Sequence, residues 1–351
     1  MEVVASLPAD TPLSRVAERV RRIEALGYDT VHVSETVRDP FAVCALALEH
    51  TSRLTVRTSM VVAFARSPMV TAYSAWELAR FSGGRFQLGI ATQVRGNIVG
   101  RFSMPWSDPA AQLRDYLDSL RAIFDAFSTD NPLSHSGTHY TFDRLQPYFR
   151  PGPLDVAAPQ LWTGGVNRRM CVLAGERSDG FVTHPTNSHP LILRERVLPA
   201  LREGAARAGR GDGGPRVVVV PKPITGRDDA AVAVAAATDA ARSEFAFLYS
   251  TPAYRRTLEM HGLAGLGERL GALARDRRWA EMAPLMTDDV LHALVPCGTY
   301  AQLPEVLGSW YGGLCDGLAI DPPAAPSGDD GFARLLDRLR ALPERRAAED
   351  R

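Results

Sequence analysis

The chain has 351 residues, 45% of them hydrophobic, and its 40 basic and 40 acidic side chains balance to a formal charge of zero. The apolar share supports a sizeable core, and the charge balance gives no electrostatic reason to expect a nucleic-acid or membrane-surface partner. Length leaves two average domains and one large α/β barrel both open. The four cysteines, Cys44, Cys171, Cys297 and Cys315, are far apart with no C-x-x-C spacing, which suits free thiols in a reducing compartment. No apolar run reaches membrane-span length and no secretory leader opens the chain, so a cytoplasmic location is expected.

Met1–Leu7 reads as a short apolar strand, and Thr11-Pro12 as the cap and first residue of a helix over Leu13–Leu26. Val16, Val20, Ile23 and Leu26 recur at three- and four-residue spacing, and Gly27 ends the helix. Thr30–Ser34 is the second strand, followed by a helix over Phe41–His50. The β-branched run Leu54–Val62 is the third, Ser67-Pro68 opens a helix, and Ser82-Gly83-Gly84 turns the chain into a fourth strand, Phe86–Ala91. Ser107-Asp108-Pro109 caps a long amphipathic helix whose apolar face carries Leu113, Leu117, Leu120, Ile123 and Phe124. Residues 128–158 break the rhythm with a hairpin pattern at His135–Phe142 and clustered prolines, an insertion of the kind that covers a site or a subunit contact. Strands at Gln160–Thr163, Gly180–Thr183 and Val217–Val220 alternate with helices, 252–312 reads as helices without a strand, and Gly317–Ile320 is the eighth strand. A helix over Phe332–Leu342 closes the fold.

Eight strands separated by helices predict an α/β fold, a (β/α)8 barrel over residues 1–342 with an insertion between strands four and five and a charged tail at 343–351. A doubly wound sheet fits the same alternation, although no G-x-G-x-x-G follows any strand. Walker A, H-E-x-x-H and G-x-S-x-G patterns are absent too, so metal and serine-nucleophile chemistry have no support. In a barrel the strand C-termini converge on one face, which gathers Glu35, Ser59–Phe64, Thr92-Gln93, Gly164-Gly165, His184, Lys222 and Asp321. Gly164-Gly165-Val166-Asn167 enters a helix, where backbone N–H groups and the helix dipole suit a phosphate; a plain strand-to-helix turn fits as well. His184 is open to two readings, an acid or base of near-neutral pKa and a hydrogen-bonded structural residue.

Three stretches, Thr58-Ser59-Met60-Val61-Val62-Ala63-Phe64, Arg66-Ser67-Pro68-Met69-Val70 and Ser82-Gly83-Gly84-Arg85-Phe86-Gln87-Leu88-Gly89, resemble the luciferase-like monooxygenase superfamily. The likeness is to its F420-dependent oxidoreductase branch, and it continues through Thr92-Gln93-Val94, Gly165-Val166-Asn167, Asp179-Gly180, His184-Pro185 and Ser250–Tyr254. It implies a barrel of the bacterial-luciferase type, a homodimer, and a non-prolyl cis peptide at Ser59–Met60 backing a flat redox ring. By the same resemblance Ser59, Met60, Phe64, Thr92, Gln93, Asn97, Gly164, Gly165, Val166 and Asn167 contact the cofactor, and Glu35 and His184 are the catalytic candidates. Ala91 stands where related sequences carry glycine, and Val94 where other F420 reductases carry glutamate. The implied activity is hydride exchange between coenzyme F420 and a small organic substrate. FMN-dependent oxygenation on the same barrel, and a barrel subunit that has lost its cofactor, are the alternatives.

Overall fold

The computed structural model describes residues 1–211, 214–237 and 239–345. Eight strands, β1 (Glu2–Ser6), β2 (Thr30–Val33), β3 (Thr55–Thr58), β4 (Phe86–Ala91), β5 (Leu161–Gly164), β6 (Gly180–Val182), β7 (Arg216–Val219) and β8 (Gly317–Ala319), pair in parallel. The sheet closes because β1 pairs with both β2 and β8, while β3 pairs with β2 and β4. This is the (β/α)8 barrel and not the doubly wound sheet. The third strand is broken: Val61–Val62 continues it past Ser59–Met60 and pairs with Ile90–Ala91, and the Ser59–Met60 peptide is cis.

Local chemistry places the outer helices. Along α1 (Leu13–Ala25) the stripe Val16, Val20 and Ile23 is buried, and Gly27 follows at φ +93°, a value open to glycine at little cost. Asp39 caps α2 (Pro40–Glu49), and Ser67 caps α3 (Pro68–Ser82), each with proline as the next residue. Gly83 and Gly84, at φ +63° and +89°, make the turn into β4. A short helix that the sequence pattern does not signal, α4 (Arg95–Gly100), follows β4, and Asp108 caps α5 (Pro109–Ser128) through the N–H groups of Ala110 and Ala111. Trp76 of α3 stacks on Phe124 of α5 at 5.4 Å. The predicted hairpin forms between His135–Ser136 and Thr141–Phe142, anchored where the Asp115 carboxylate accepts from His135 Nε2, His139 N and Tyr140 N.

Two stretches differ from the expectation. Pro12, not Thr11, immediately precedes α1, and no side chain caps that helix. Between β7 and β8, Ile224–Gly226 pairs in parallel with Cys297–Thr299, so 252–312 does contain a strand. Three residues with a central glycine carry no alternation, and this strand is invisible to periodicity. The helices between these strands bury Phe245, Tyr249, Leu258, Leu270 and Met286 in a cluster of their own. Of the predicted tail, 346–351 lies outside the described residues; Arg345 pairs with Asp316 at 3.3 Å.

The barrel interior is filled in layers. Val4, Trp162, Val182, Val218 and Ala319 form an apolar lumen, capped by Met60 and Val220. Below it Arg57, 1% exposed, stacks on the Trp162 ring at 3.5 Å and is bonded to Glu2, Gln87 and His32.

Candidate functional site

A cavity of about 1320 Å³ opens at the C-terminal mouth of the barrel. Its wall brings together Ser59, Met60, Thr92, Gln93, Gly164, Gly165, Val166, Asn167 and His184, nine of the residues singled out from sequence, with Lys222 and Asp321. They meet because each follows, or ends, a barrel strand, and parallel strands deliver those ends to one face.

The Ser59–Met60 wall is built by three neighbours. Thr58 Oγ1 accepts from Gly89 N (2.8 Å) and donates to Gly89 O (2.9 Å), locking β3 to β4 just before the break. Gly89 has no side chain to obstruct it: a methyl there would overlap the Thr58 carbonyl oxygen and sit 2.8 Å from Met60 Sδ. On the far side Glu35 accepts from Val62 N at 2.7 Å and takes Arg66 in a bidentate pair at 2.6 and 2.8 Å. Glu35 thus clamps the start of the returning strand and is not among the cavity-lining residues.

Phe64 and Asn97 also stay outside the cavity lining. Phe64 is buried edge-on against Trp106 (6.0 Å), and Asn97 donates to Gln93 Oε1 at 3.2 Å. Gln93 itself sits at φ +60°, with its side-chain oxygen accepting from Val94 N at the entrance of α4.

The glycine turn leads into α6 (Arg168–Arg177). Asn167 caps it by accepting from Met170 N at 3.0 Å, and Asn187 Nδ2 holds the turn through Val166 O at 2.9 Å. The helix entrance and its partial positive charge therefore face the cavity. Arg168 and Arg169 turn away to pair with Glu203 and Asp108.

His184 ends the strand-six loop, and its ring stacks on Tyr254 at 4.4 Å and 29°. Burial pushes its pKa down to about 4. Thr186 N donates to His184 Nδ1 at 3.4 Å, so the neutral ring carries its proton on Nε2. It offers the cavity a hydrogen-bond donor over the ordinary pH range.

His32, at the cavity floor, is a site residue that the sequence reading misses. The signal is there: it lies between Val31 and Val33, and alternation on a barrel strand turns such a residue inward. Tyr254 and the α1 arginines Arg15, Arg19 and Arg22 also line the cavity, and nothing local to the sequence brings α1 to the mouth. No group of three or more potential metal ligands occurs among the described residues. Nor is any described helix long and apolar enough to cross a membrane.

Closed parallel barrel, broken third strand and glycine helix entrance together define a (β/α)8 ligand-binding barrel of the bacterial-luciferase type. The chain belongs to the luciferase-like monooxygenase family, whose model matches residues 1–316. An uncharacterised protein of Mycobacterium tuberculosis is 38% identical over 304 residues, 87% of this chain and 88% of its own. The 5,10-methylenetetrahydromethanopterin reductase of Methanolobus tindarius is 25% identical over 331 residues, 90% of this chain and 93% of its own. Among solved structures, the coenzyme F420-dependent tetrahydromethanopterin reductase of Methanopyrus kandleri superposes with TM-score 0.76 at 18% identity, covering 95% of this chain and 96% of its own. The FMN-bound oxygenating constituent of 3,6-diketocamphane monooxygenase from Pseudomonas putida gives TM-score 0.66 at 16% identity, with 98% and 100% covered.

Proposed function

We propose that this protein is an F420-dependent oxidoreductase acting on a small organic substrate. The observation that carries the reading is the convergence of the Ser59–Met60 wall, the Thr92-Gln93 turn and the α6 entrance on one cavity. Its likeness to a methanopterin reductase over 90% of the chain supports reductase chemistry, and a partial likeness to an F420-dependent glucose-6-phosphate dehydrogenase supports the cofactor. The residues present fit such a group. A Cβ on Gly164 would lie 3.1 Å from Val182 O and 3.4 Å from Met60 Cε, so the glycine keeps the wall flat where a ring would rest. The volume of about 1320 Å³ exceeds the roughly 300–1,000 Å³ usual for one small ligand, which leaves room for a cofactor and a substrate together.

When bound, the deazaflavin supplies a carbon that accepts or gives a hydride. The chain supplies position and electrostatics. Ser59, Met60 and Gly164 provide the face against which the ring packs, and Gly165, Val166 and Asn167 offer the helix entrance to a phosphate. Of the cations lining the cavity, Arg15 pairs with Glu18, Arg22 with Asp329 and Lys222 with Glu244 and Asp321, and Arg19 and Arg95 are the ones placed to meet an anionic tail or substrate. His184 donates from Nε2 to an oxygen of the substrate, and Glu35 acts through the strand it clamps.

The test is titration of the purified protein with oxidised F420 and with FMN, each followed by fluorescence quenching and by co-elution on gel filtration. Binding of F420 in preference to FMN is expected. Preferential binding of FMN, with oxygen incorporated into product from the reduced form, replaces this reading by the oxygenase one. Binding of neither leaves only the fold.

A further inference from the structure

The floor of the cavity carries a fixed hydrogen-bond donor that neither the family resemblance nor the reading above uses. His32 is 5% exposed, lies at the bottom of the cavity, and faces the lumen from β2. Its Nε2 lies 3.1 Å from Arg57 Nη1. A guanidinium only donates, so Nε2 is the acceptor and the single proton of the neutral ring sits on Nδ1. Arg57 is itself held by Glu2 (Nη2 to Oε1, 2.8 Å), by Gln87 (Nε to Oε1, 2.6 Å) and by the Trp162 face. It has no freedom to let His32 turn over. Among the described residues no hydrogen bond is made to His32 Nδ1.

Burial and the Arg57 charge both hold His32 well below the ordinary histidine pKa. The ring is therefore neutral, with a donor and no charge. The same cavity is lined by Ser6, the register partner of His32 on β1, and by the apolar Met60, Val182 and Val220. A fixed N–H in a largely buried floor selects a ligand by one acceptor atom, because leaving either partner unpaired there costs far more than in water. In register, His32 pairs with Arg57 across β2 and β3, two residues before Ser59. A flat ring packed on the Ser59–Met60 wall would share its cavity with this donor.

Resting on the proposed cofactor reading, we propose that His32 Nδ1 donates to a carbonyl oxygen of the bound ring. Arg57 is the positioning residue that fixes the tautomer. The site thus takes a ring that ends in a neutral carbonyl acceptor.

Two substitutions separate this role from a merely structural one. His32→Asn puts an amide N–H where Nδ1 stands and gives up the acceptor for Arg57. His32→Gln keeps an acceptor near Nε2 for Arg57 and gives up the Nδ1 donor. The probes are oxidised F420 and FMN, read by dissociation constant and by the ring carbonyl stretches in infrared difference spectra. We expect His32→Gln to bind the preferred probe about tenfold more weakly, the order set by one hydrogen bond lost in a desolvated site. One carbonyl band should also move to higher frequency, and His32→Asn should keep both close to wild type. A carbonyl band unmoved in His32→Gln, or a pattern in which Gln is benign and Asn damaging, overturns the proposal and leaves the function standing. Wild-type protein that binds neither probe overturns both.

Discussion

Gly89→Ala tests the construction of the cavity wall most directly. The added methyl overlaps the Thr58 carbonyl oxygen and comes to 2.8 Å from Met60 Sδ, so β3 and β4 must separate or Met60 must leave its place. Overpacking of this kind costs about 1–3 kcal/mol. Separation also strains the two bonds of Thr58 Oγ1 to Gly89, both buried, whose loss adds about 1–3 kcal/mol. The expected destabilisation is therefore about 2–6 kcal/mol, a large share of the roughly 5–15 kcal/mol that holds a typical domain together. Gly96→Ala is the matched control. Gly96 lies in α4, where an added methyl would meet nothing within 4 Å, so the change should be neutral or stabilise by up to about 1 kcal/mol. Equilibrium urea unfolding measures both, and F420 or FMN titration of the folded fraction reads the wall. A Gly89→Ala protein as stable as Gly96→Ala, with unchanged ligand affinity, would refute the account of how the wall is made.

Further outcomes are expected elsewhere. Glu35→Gln weakens the bidentate hold on Arg66 and should destabilise the fold by about 1–3 kcal/mol, read by urea unfolding. Because Glu35 does not line the cavity, the shape of any pH–rate profile should not change; a lost limb would restore it as an acid or base. Burial lowers His184 and His189 to about 4, so the unfolded chain binds more protons than the folded one between about 6.5 and 4. Stability should be full above pH 6.5 and fall as pH drops through that window. Unfolding at a series of pH values checks this, and His184→Asn should flatten the slope. Cys297, half-buried with its thiol pushed up to about 11, should react slowly with a thiol reagent in the folded protein, and buried Cys44 and Cys315 only on unfolding.

Sequence carried the barrel because its eight strands and most of its helices announced themselves locally. The Val16-Val20-Ile23 stripe, the Ser67-Pro68 cap and the Gly83-Gly84 turn are short-range signals, and the structure places all three as read. The strand Cys297–Thr299 offers no such signal, since its partner lies about seventy residues earlier and no pattern within three residues reveals a partner. At the site, strand-end position picked out a part of the lining, from Ser59 to His184. Glu35 departs from that rule because its distance from the strand end says nothing about Arg66, which returns from about thirty residues on to take the carboxylate. Asn97 reads as loop in the sequence. It lies in α4, whose geometry turns its amide toward Gln93.

The division of polarity inside the barrel explains why the site can be selective without being unstable. Glu2, Arg57 and Arg216 occupy the lower lumen, where burial alone would drive the Glu2 carboxyl up and the Arg57 guanidinium down. For Glu2 the attraction of Arg57 and Arg216 and the Thr30 hydroxyl outweigh burial, and its pKa falls below the ordinary carboxylate value. Arg57 keeps its charge even at about 10. A buried pair is costly to break because one partner alone leaves an uncompensated charge. The same charges therefore cannot be recruited to the ligand above. Their influence passes upward through His32, as an oriented N–H in place of a net charge. Replacing Glu2 and Arg57 together by Gln and Met would remove the buried ions and release the His32 tautomer. Urea unfolding should then show a smaller loss than Arg57→Met alone, while the affinity for F420 or FMN falls, though by less than in His32→Gln, because the freed ring can still present Nδ1–H. Full affinity in the double variant would mean that the lower lumen serves stability alone.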